Sequence, residues 1–523
     1  MTGIRPNRSR AVVVGAGIGG LVSAVELARR GLDVHVYEQS SDVGGKMRRI
    51  RIGDQDLDGG PTVFTMRWIV EEVFQNAGAS LLDYVELEQV ECIARHTWEG
   101  DGVFDLYTDR ERSADAVHQF FGRREAKGYR KFCDYAESIF REVREPFLMS
   151  QKPGMVDLVA NQGLGALRAA SKIDPFRSMM KALGGFFRDP RLRQLFGRYA
   201  TYSGSSPYQA PATLSLIAHV EREGVWLVRG GMHRMAQALA TLGRELGVTY
   251  HFDRSVKRVL VDGGRASGIV LADGEQVEAD TVVANVEARG LVNGLLGADV
   301  SGSRAVDDRT EPSQSAVTWN AVARTRGFPL AHHSVFFSAD YAKEFREIGA
   351  GKIPSEPTIY ICAQDRDDLG LRPIDGPERL LVLVNAPAWG ERDATEELKR
   401  CEEQTFRFLK RCGLEVDLEP AQTVRTSPNE FARAFPGSQG ALYGGASHGW
   451  KAFFNRPSAK TRVPGLYLTG ASAHPGAGVP MVALSGRLAA QAVHEDLALT
   501  STSRKTVTGG GTSTPSPGAA KLA

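Results

Sequence analysis

The apolar pattern begins with a short unbroken run at residues 11–14, the length and composition of a buried strand. Six residues rich in glycine follow, Gly15-Ala16-Gly17-Ile18-Gly19-Gly20, after which Leu21, Ala24, Val25 and Ala28 recur at helical spacing. A second alternating run, "LDVHVYE", ends at Glu38. The order strand, glycine turn, helix, strand predicts a βαβ unit. Residues 253–284 carry short alternating runs broken at Asp262-Gly263 and Asp273-Gly274, two hairpin signals, and predict an antiparallel meander returning in "ADTVVAN". Late in the chain the first pattern recurs: the apolar "GLYLTG" at 465–470, the glycine-rich "HPGAGVPMV" at 474–482, then the helical "ALSGRLAAQAV".

Spacing gives the first of these turns a chemistry. Gly15 permits a tight turn, Gly17 lets backbone approach a pyrophosphate, and Gly20, beside Gly19, lets the helix pack close on the strand. Phosphates then sit on the free N–H groups of the helix N-terminus. Glu38, eighteen residues after Gly20, accepts hydrogen bonds from the ribose hydroxyls. Beyond it stand Gly44-Gly45 with Lys46 and Arg48, then "LDGGPTVFT" with Gly60, Pro61 and Thr62. Such an extension suits FAD, whose second phosphate and ribityl chain continue past the ribose, and a nicotinamide cofactor has no need of it. Val256, on the first strand of the meander, offers backbone groups to adenine. The late turn brings Gly470, Gly478, Val479 and Met481 back to the same cofactor. The N-terminus of its helix faces the flavin's pyrimidine edge, where it stabilises negative charge by about 0.3 to 1 kcal/mol. Gly476 and Gly478 keep side chains away from the isoalloxazine.

Composition narrows the class. A chain of 523 residues with 42% apolar and 24% charged residues is expected to fold as two or three globular domains. A net charge of +2 gives no sign of a nucleic-acid partner. No run of eighteen uncharged apolar residues predicts a spanning helix, and "MTGIRPNRSR" leads into the first strand without the h-region of a signal peptide, so a cytoplasmic location is expected. Cysteines 92, 133, 362, 401 and 412 form no CxxC pair, which speaks against a disulfide framework and against a metal site. Residues 499–523, dominated by Ser, Thr, Gly and Pro from 501 on, read as a disordered tail.

The glycine stretch through "VYEQSSDVGGKMRRI", with "LDGGPTVFT", "GVWLVRGGMHRMAQAL" and "VPGLYLTGASAHPGAGVPMVALSGRLAAQ", resembles the bacterial carotenoid desaturase family, flavoproteins that include phytoene desaturase. Within it, "LDGGPTVFTMRW" and "GGASHGWKAFFNRP" are most similar to the 1-hydroxycarotenoid 3,4-desaturases. Val228-Arg229-Gly230-Gly231-Met232 departs from the usual phytoene desaturase pattern and makes phytoene a less suitable substrate. The resemblance implies an α/β fold, with an FAD-type Rossmann domain of the amine-oxidase kind and a second, α+β domain for substrate and membrane. Their expected extents are 1–110, 225–298 and 440–498 for the first and 111–224 and 299–439 for the second. It also implies noncovalent FAD, peripheral attachment to the inner membrane, and removal of two hydrogens from an acyclic carotenoid, a hydride to flavin N5 and then a proton. The most fitting substrate is a 1-hydroxycarotenoid at its 3,4 position. Phytoene or neurosporene desaturation, an amine-oxidase-like enzyme and a flavin-free lipid escort are the alternatives, and the electron acceptor, oxygen or quinone, is left open.

Such a reaction asks for orientation and water exclusion more than for acid and base groups. No catalytic residue is therefore singled out, although His219, Glu221, Glu223, His448 and His474 are candidates for a proton acceptor. Trp226, Met232, Trp450, Phe453 and His474 are expected to line the substrate tunnel, with Phe454 beside them. Residues 163–202 carry eight Arg or Lys, at 168, 172, 177, 181, 188, 191, 193 and 198, against Asp174 and Asp189. Phe176, Met179, Met180, Leu183, Phe186, Phe187, Leu192, Leu195 and Phe196 stand between them, a pattern suited to an anionic membrane surface at about 1 kcal/mol per basic residue.

Overall fold

The computed structural model describes residues 8–151, 172–302, 310–452 and 455–507. Two sheets organise it. The first is a parallel sheet of five strands in the order Leu466–Leu468, Thr281–Ala284, Arg10–Val14, Asp33–Tyr37 and Thr249–His251. Four of the five residues of Arg10–Val14 are buried, as a strand covered on both faces must be. The helix Ile18–Ala28 is buried along its whole length, against the helices His233–Glu245 and Val479–Val507. The meander forms as expected: Val256–Asp262, Arg265–Leu271 and Gln276–Glu278 make an antiparallel sheet of three strands, turned at Gly263, Gly264 and Gly274 with positive φ.

The second sheet has eight strands. Along its path run Leu414–Asp417, Ser315–Gly327, Glu378–Ala386, Ile359–Ala363, His333–Phe337, Cys92–Trp98 and Phe104–Tyr107, and Thr423–Thr426 pairs with Ser315–Gly327. Cys92–Trp98 and Phe104–Tyr107, within the segment 1–110 expected for the first domain, thus share a sheet with strands from residues 315–426. Cys92–Trp98 is buried at six of seven positions because it lies parallel to His333–Phe337, a strand more than two hundred residues away, which local pattern does not show. The last helix continues to Val507, so the expected tail at 499–507 is helical: backbone hydrogen bonds carry a helix through a stretch without apolar periodicity. Residues 508–523 lie outside the described residues.

The expected membrane face is also reassigned. Met179, Leu183, Phe187, Leu192, Leu195 and Phe196 are buried in the core of the substrate side, packed against the helix Arg123–Val143. Lys172 pairs with Glu142, Arg177 with Asp174, and Arg191 with Asp189 and Asp101. A helical period shows that one face is covered but not by what, and here the protein itself covers it. Phe176 is the exception, 71% exposed. Residues 163–171 lie outside the described residues, and among the described residues no helix is long and apolar enough to cross a membrane.

Candidate functional site

The two glycine turns meet. A methyl group added to Gly19 would lie 2.9 Å from the Thr469 hydroxyl and 3.2 Å from the Gly470 nitrogen, and one added to Gly486 would lie 2.5 Å from the Gly19 carbonyl. Ser23 fastens the crossing by donating to the carbonyls of Gly19, at 2.8 Å, and Gly486, at 3.1 Å. Asn285, at the end of Thr281–Ala284, stands at the junction: added methyls on Gly17, Gly19 and Gly470 would fall within 2.9 Å of its side-chain amide. Sequence reading passed Asn285 over as the end of a strand.

Gly15 takes a φ of +94°, and Gly20 lies so close beneath it that an added methyl would sit 2.0 Å from the Gly15 carbonyl. Gly17 is the N-cap of Ile18–Ala28. It has no side chain to cap with, and no acid stands in the first turn, so the helix start carries no side-chain cap and suits an anion. The carboxylate of Glu38 accepts from Ala16 N at 2.6 Å and Ser40 N at 2.9 Å, which fixes it beside the turn. Arg254 N donates to the Glu38 carbonyl, and this places Val256 two residues from the acid. The doublet Gly44-Gly45 lies on the same loop: Gly44 N donates to Ala16 O, and a methyl on Gly45 would be 3.2 Å from Gly17 Cα. These closely opposed backbones form a cradle of the kind an extended dinucleotide fits. The cations of that stretch are committed to protein partners. Lys46 donates to Glu287 and the Leu442 carbonyl, while Arg48 reaches the Thr426 hydroxyl and lies over the Phe431 ring.

A cavity of about 390 Å³ runs from Gly60, Pro61 and Thr62 and the late turn Pro475–Met481 to Phe176 and Trp450. The last two rings lie 5.9 Å apart at the exposed end. Its apolar wall includes Phe140, Phe147, Ile217, Val220 and Leu383. Among the described residues that line it there is no carboxylate, imidazole, thiol or lysine; the charged ones are Arg198 and Arg456. Arg456 lies within "GGASHGWKAFFNRP", where no local signal distinguishes it from a surface cation. It donates to the carbonyls of Ala471 at 2.7 Å and of Tyr443 and Gly445 at 3.3 Å, and its guanidinium packs on Gly476. Burial lowers its pKa to about 10, so it stays cationic beside the late turn.

Gly478, Val479, Met481 and Trp450 border this cavity, as do Gly60, Pro61 and Thr62; three other expected wall residues do not. Trp226 lies under the Arg67 guanidinium, 4.1 Å from its ring centroid, and its N–H donates to Phe64 O. Met232 is core, and its N–H is capped by Asp58 at 2.7 Å. Gly230 and Gly231, both at positive φ, turn the chain so that Asp58 can cap the helix His233–Glu245, which accounts structurally for the "RGGM" stretch. Phe453 and Phe454 lie outside the described residues.

His474 is the third. It stands behind the wall, 3% exposed and edge-on to Phe147, and a cis peptide joins it to Pro475. Of the remaining proton-acceptor candidates, His448 faces Glu311 and Ser206 N, His219 pairs with Glu223, and Glu221 is buried beneath Tyr199 and Tyr202, accepting from each hydroxyl at 2.6 Å.

Burial lowers the pKa of His474 to about 4 and that of His96 to about 3. Both stay neutral in the fold while the unfolded chain takes up protons below about pH 6.5. Stability should therefore be flat above that pH and fall between 6.5 and 4, by up to about 3 kcal/mol for His474. Urea midpoints at about pH 7.5 and pH 5 measure this, and His474→Gln should reduce the difference.

The chain matches the model of the family described as flavin containing amine oxidoreductase over residues 18–494. A protein named hydroxyneurosporene desaturase from Rubrivivax gelatinosus is 45% identical over 511 residues, covering 97% of each chain. Another of that name from Cereibacter sphaeroides is 44% identical, covering 94% of this chain and 98% of its own. Among solved structures, the cyclohexylamine oxidase of Brevibacterium oxydans shares the fold with a TM-score of 0.56 at 15% identity, covering 94% of this chain and all of its own.

Proposed function

Because the chain belongs to the flavin-containing amine oxidoreductases, and within them to the carotenoid desaturase family, we propose that it is an FAD-dependent desaturase of an acyclic carotenoid, most fittingly a 1-hydroxycarotenoid oxidised at its 3,4 bond. The observation that carries the reading is the cavity: a long apolar wall that begins at the glycine turns and holds none of the carboxylates an amine substrate would call for. The uncapped turn at Gly17 and the acid Glu38 suit the adenosine diphosphate half of FAD, and Gly60–Thr62 with the late turn suit its flavin half. The flavin is held noncovalently in this reading, as the family resemblance implies.

When bound, FAD supplies the acceptor for a hydride. The chain's own residues do the rest. The apolar wall excludes water and holds the polyene extended, so that one bond is presented to the ring. Arg456 and the N-terminus of Val479–Val507 provide positive potential beside the late turn. With no base on the wall, the proton left on the substrate can pass to a hydroxyl. Tyr202, on the wall and bonded to Glu221, is the one backed by a buried carboxylate whose proton affinity burial raises. Phe176 and Trp450 at the open end suit entry from a bilayer, and we propose peripheral attachment there, on the cytoplasmic side of the inner membrane.

The test is purified protein in liposomes. We expect yellow protein that releases FAD on denaturation and converts 1-hydroxylated acyclic carotenoids to products with a longer polyene. Flavin-bound protein that oxidises amines and leaves carotenoids untouched would overturn the reading.

A further inference from the structure

One part of the cavity is out of keeping with a hydrocarbon guest. Arg198 opens onto it between two tyrosines, its guanidinium 5.7 Å from the Tyr202 ring centroid and 5.2 Å from that of Tyr360. Among the described residues no carboxylate lies within ion-pair distance of it. The nearby acid, Glu221, is held by the hydroxyls of Tyr199 and Tyr202. Arg198 is half-buried and, beyond its contact with the Tyr202 hydroxyl, turns guanidinium donors toward an apolar-walled cavity, which is costly unless something else accepts from them. The cluster also has a fixed place: the Tyr360 hydroxyl meets Thr62 Oγ1 at 2.6 Å and His333 Nδ1 at 2.7 Å, and Thr62 belongs to the turn proposed to hold the flavin. Arg198 therefore sits one side chain away from the reacting end of the cavity.

Resting on the desaturase reading, we infer that Arg198 and Tyr202 bind the hydroxyl of the carotenoid and so select a hydroxylated end group. The chemistry of the substrate demands such a group close by. In a 1-hydroxycarotenoid the oxygen is three bonds of about 1.5 Å each from C3. When the 3,4 bond lies against the ring, the hydroxyl must lie beside it, in the stretch of wall where Arg198, Tyr202 and Tyr360 stand. The guanidinium donates to the hydroxyl oxygen, and the hydroxyl's own proton is accepted by the phenol oxygen of Tyr202, whose hydrogen is already given to Glu221. A carotene without the hydroxyl leaves these donors facing hydrocarbon, which is how a polar site rejects an apolar analogue.

The experiment compares two acyclic carotenoids of equal chain length, one 1-hydroxylated and one not, in liposomes. Wild-type protein should favour the hydroxylated one in kcat/KM. Arg198→Met should lower the ratio of the two values about tenfold or more, and Arg198→Lys should restore part of it. Binding without turnover gives an independent readout: quenching of tryptophan fluorescence by the polyene, with Trp450 in the wall, should lose its preference for the hydroxylated ligand in Arg198→Met. Should that variant fail to accumulate, Tyr202→Phe keeps the ring and, read by the same quenching without turnover because Tyr202 also takes the proton, should lower the binding preference for the hydroxylated ligand several-fold. An equal fall for both carotenoids, or an unchanged ratio, would overturn the assignment. Wild-type protein that oxidises both without preference also overturns it while leaving the desaturase reading intact; flavin-bound protein inactive on both defeats that reading instead.

Discussion

Gly20→Ala is expected to yield protein without flavin. The added methyl would stand 2.0 Å from the Gly15 carbonyl, a contact that real side chains do not make. The opposing atom is backbone, so no rotamer change relieves it; either Ile18–Ala28 lifts off the sheet or the Gly15 turn opens. Crowding of this kind in a packed core costs about 3 kcal/mol. The displaced groups are the N–H donors proposed to hold the cofactor's phosphates, so the loss is expected to fall on flavin affinity, ~100-fold or more, as well as on stability. Flavin absorbance per mole of purified protein and the urea midpoint check both. Gly349→Ala, where an added methyl meets nothing within 4 Å, is the matched control and should change neither. Retention of a full complement of flavin by Gly20→Ala would show that the turn is not a cradle.

The second large effect is expected at Arg456. Arg456→Met keeps the apolar stem and removes every donor, leaving the carbonyls of Ala471, Tyr443 and Gly445 without this partner. Loss of a half-buried charged donor set costs about 2 kcal/mol, so the loops at 443–445 and 471 should loosen together. Removing the positive charge from beside the late turn should also make the bound flavin harder to reduce. A shift of the midpoint potential by some tens of millivolts downward is expected, on the order of 1–2 kcal/mol for a two-electron couple. Arg456→Lys separates the two roles, since it keeps the charge and reaches fewer carbonyls. Its potential should stay near wild type while its melting temperature falls. A potential unmoved by Arg456→Met would place the ring's negative charge elsewhere.

The features legible in the sequence were those whose meaning is local. The turn at 15–20, the doublet at 44–45 and the two Asp-Gly hairpins each carry their own conformational demand, and the chain turns at each of them. Whatever depends on a distant partner was not legible. Asn285 ends an apolar strand like many others, and only the fold brings it against glycines 17, 19 and 470. Arg198 was counted among the basic residues of an amphipathic stretch, yet its guanidinium turns inward between Tyr202 and Tyr360. Trp226 and Met232, beside the glycine pair at 230–231, were expected in the substrate tunnel, which neither borders. The glycines serve the cap that Asp58 gives to a helix, an interaction across more than 170 residues. Cys92–Trp98 reads as an ordinary strand, and its membership of the eight-stranded sheet rests on His333–Phe337.

The crossing of the first helix with the last, where Gly19 meets Gly486, bears on how the protein matures. The proposed cofactor site draws on the opening residues, on the strand at 281–284 that pairs with them, and on a segment some 450 residues after the first turn, so it is complete only when that last segment has been made. A nascent chain has nothing complete to offer a cofactor. Loading must therefore follow synthesis, and any fragment ending before residue 486 should leave the translation machinery colourless.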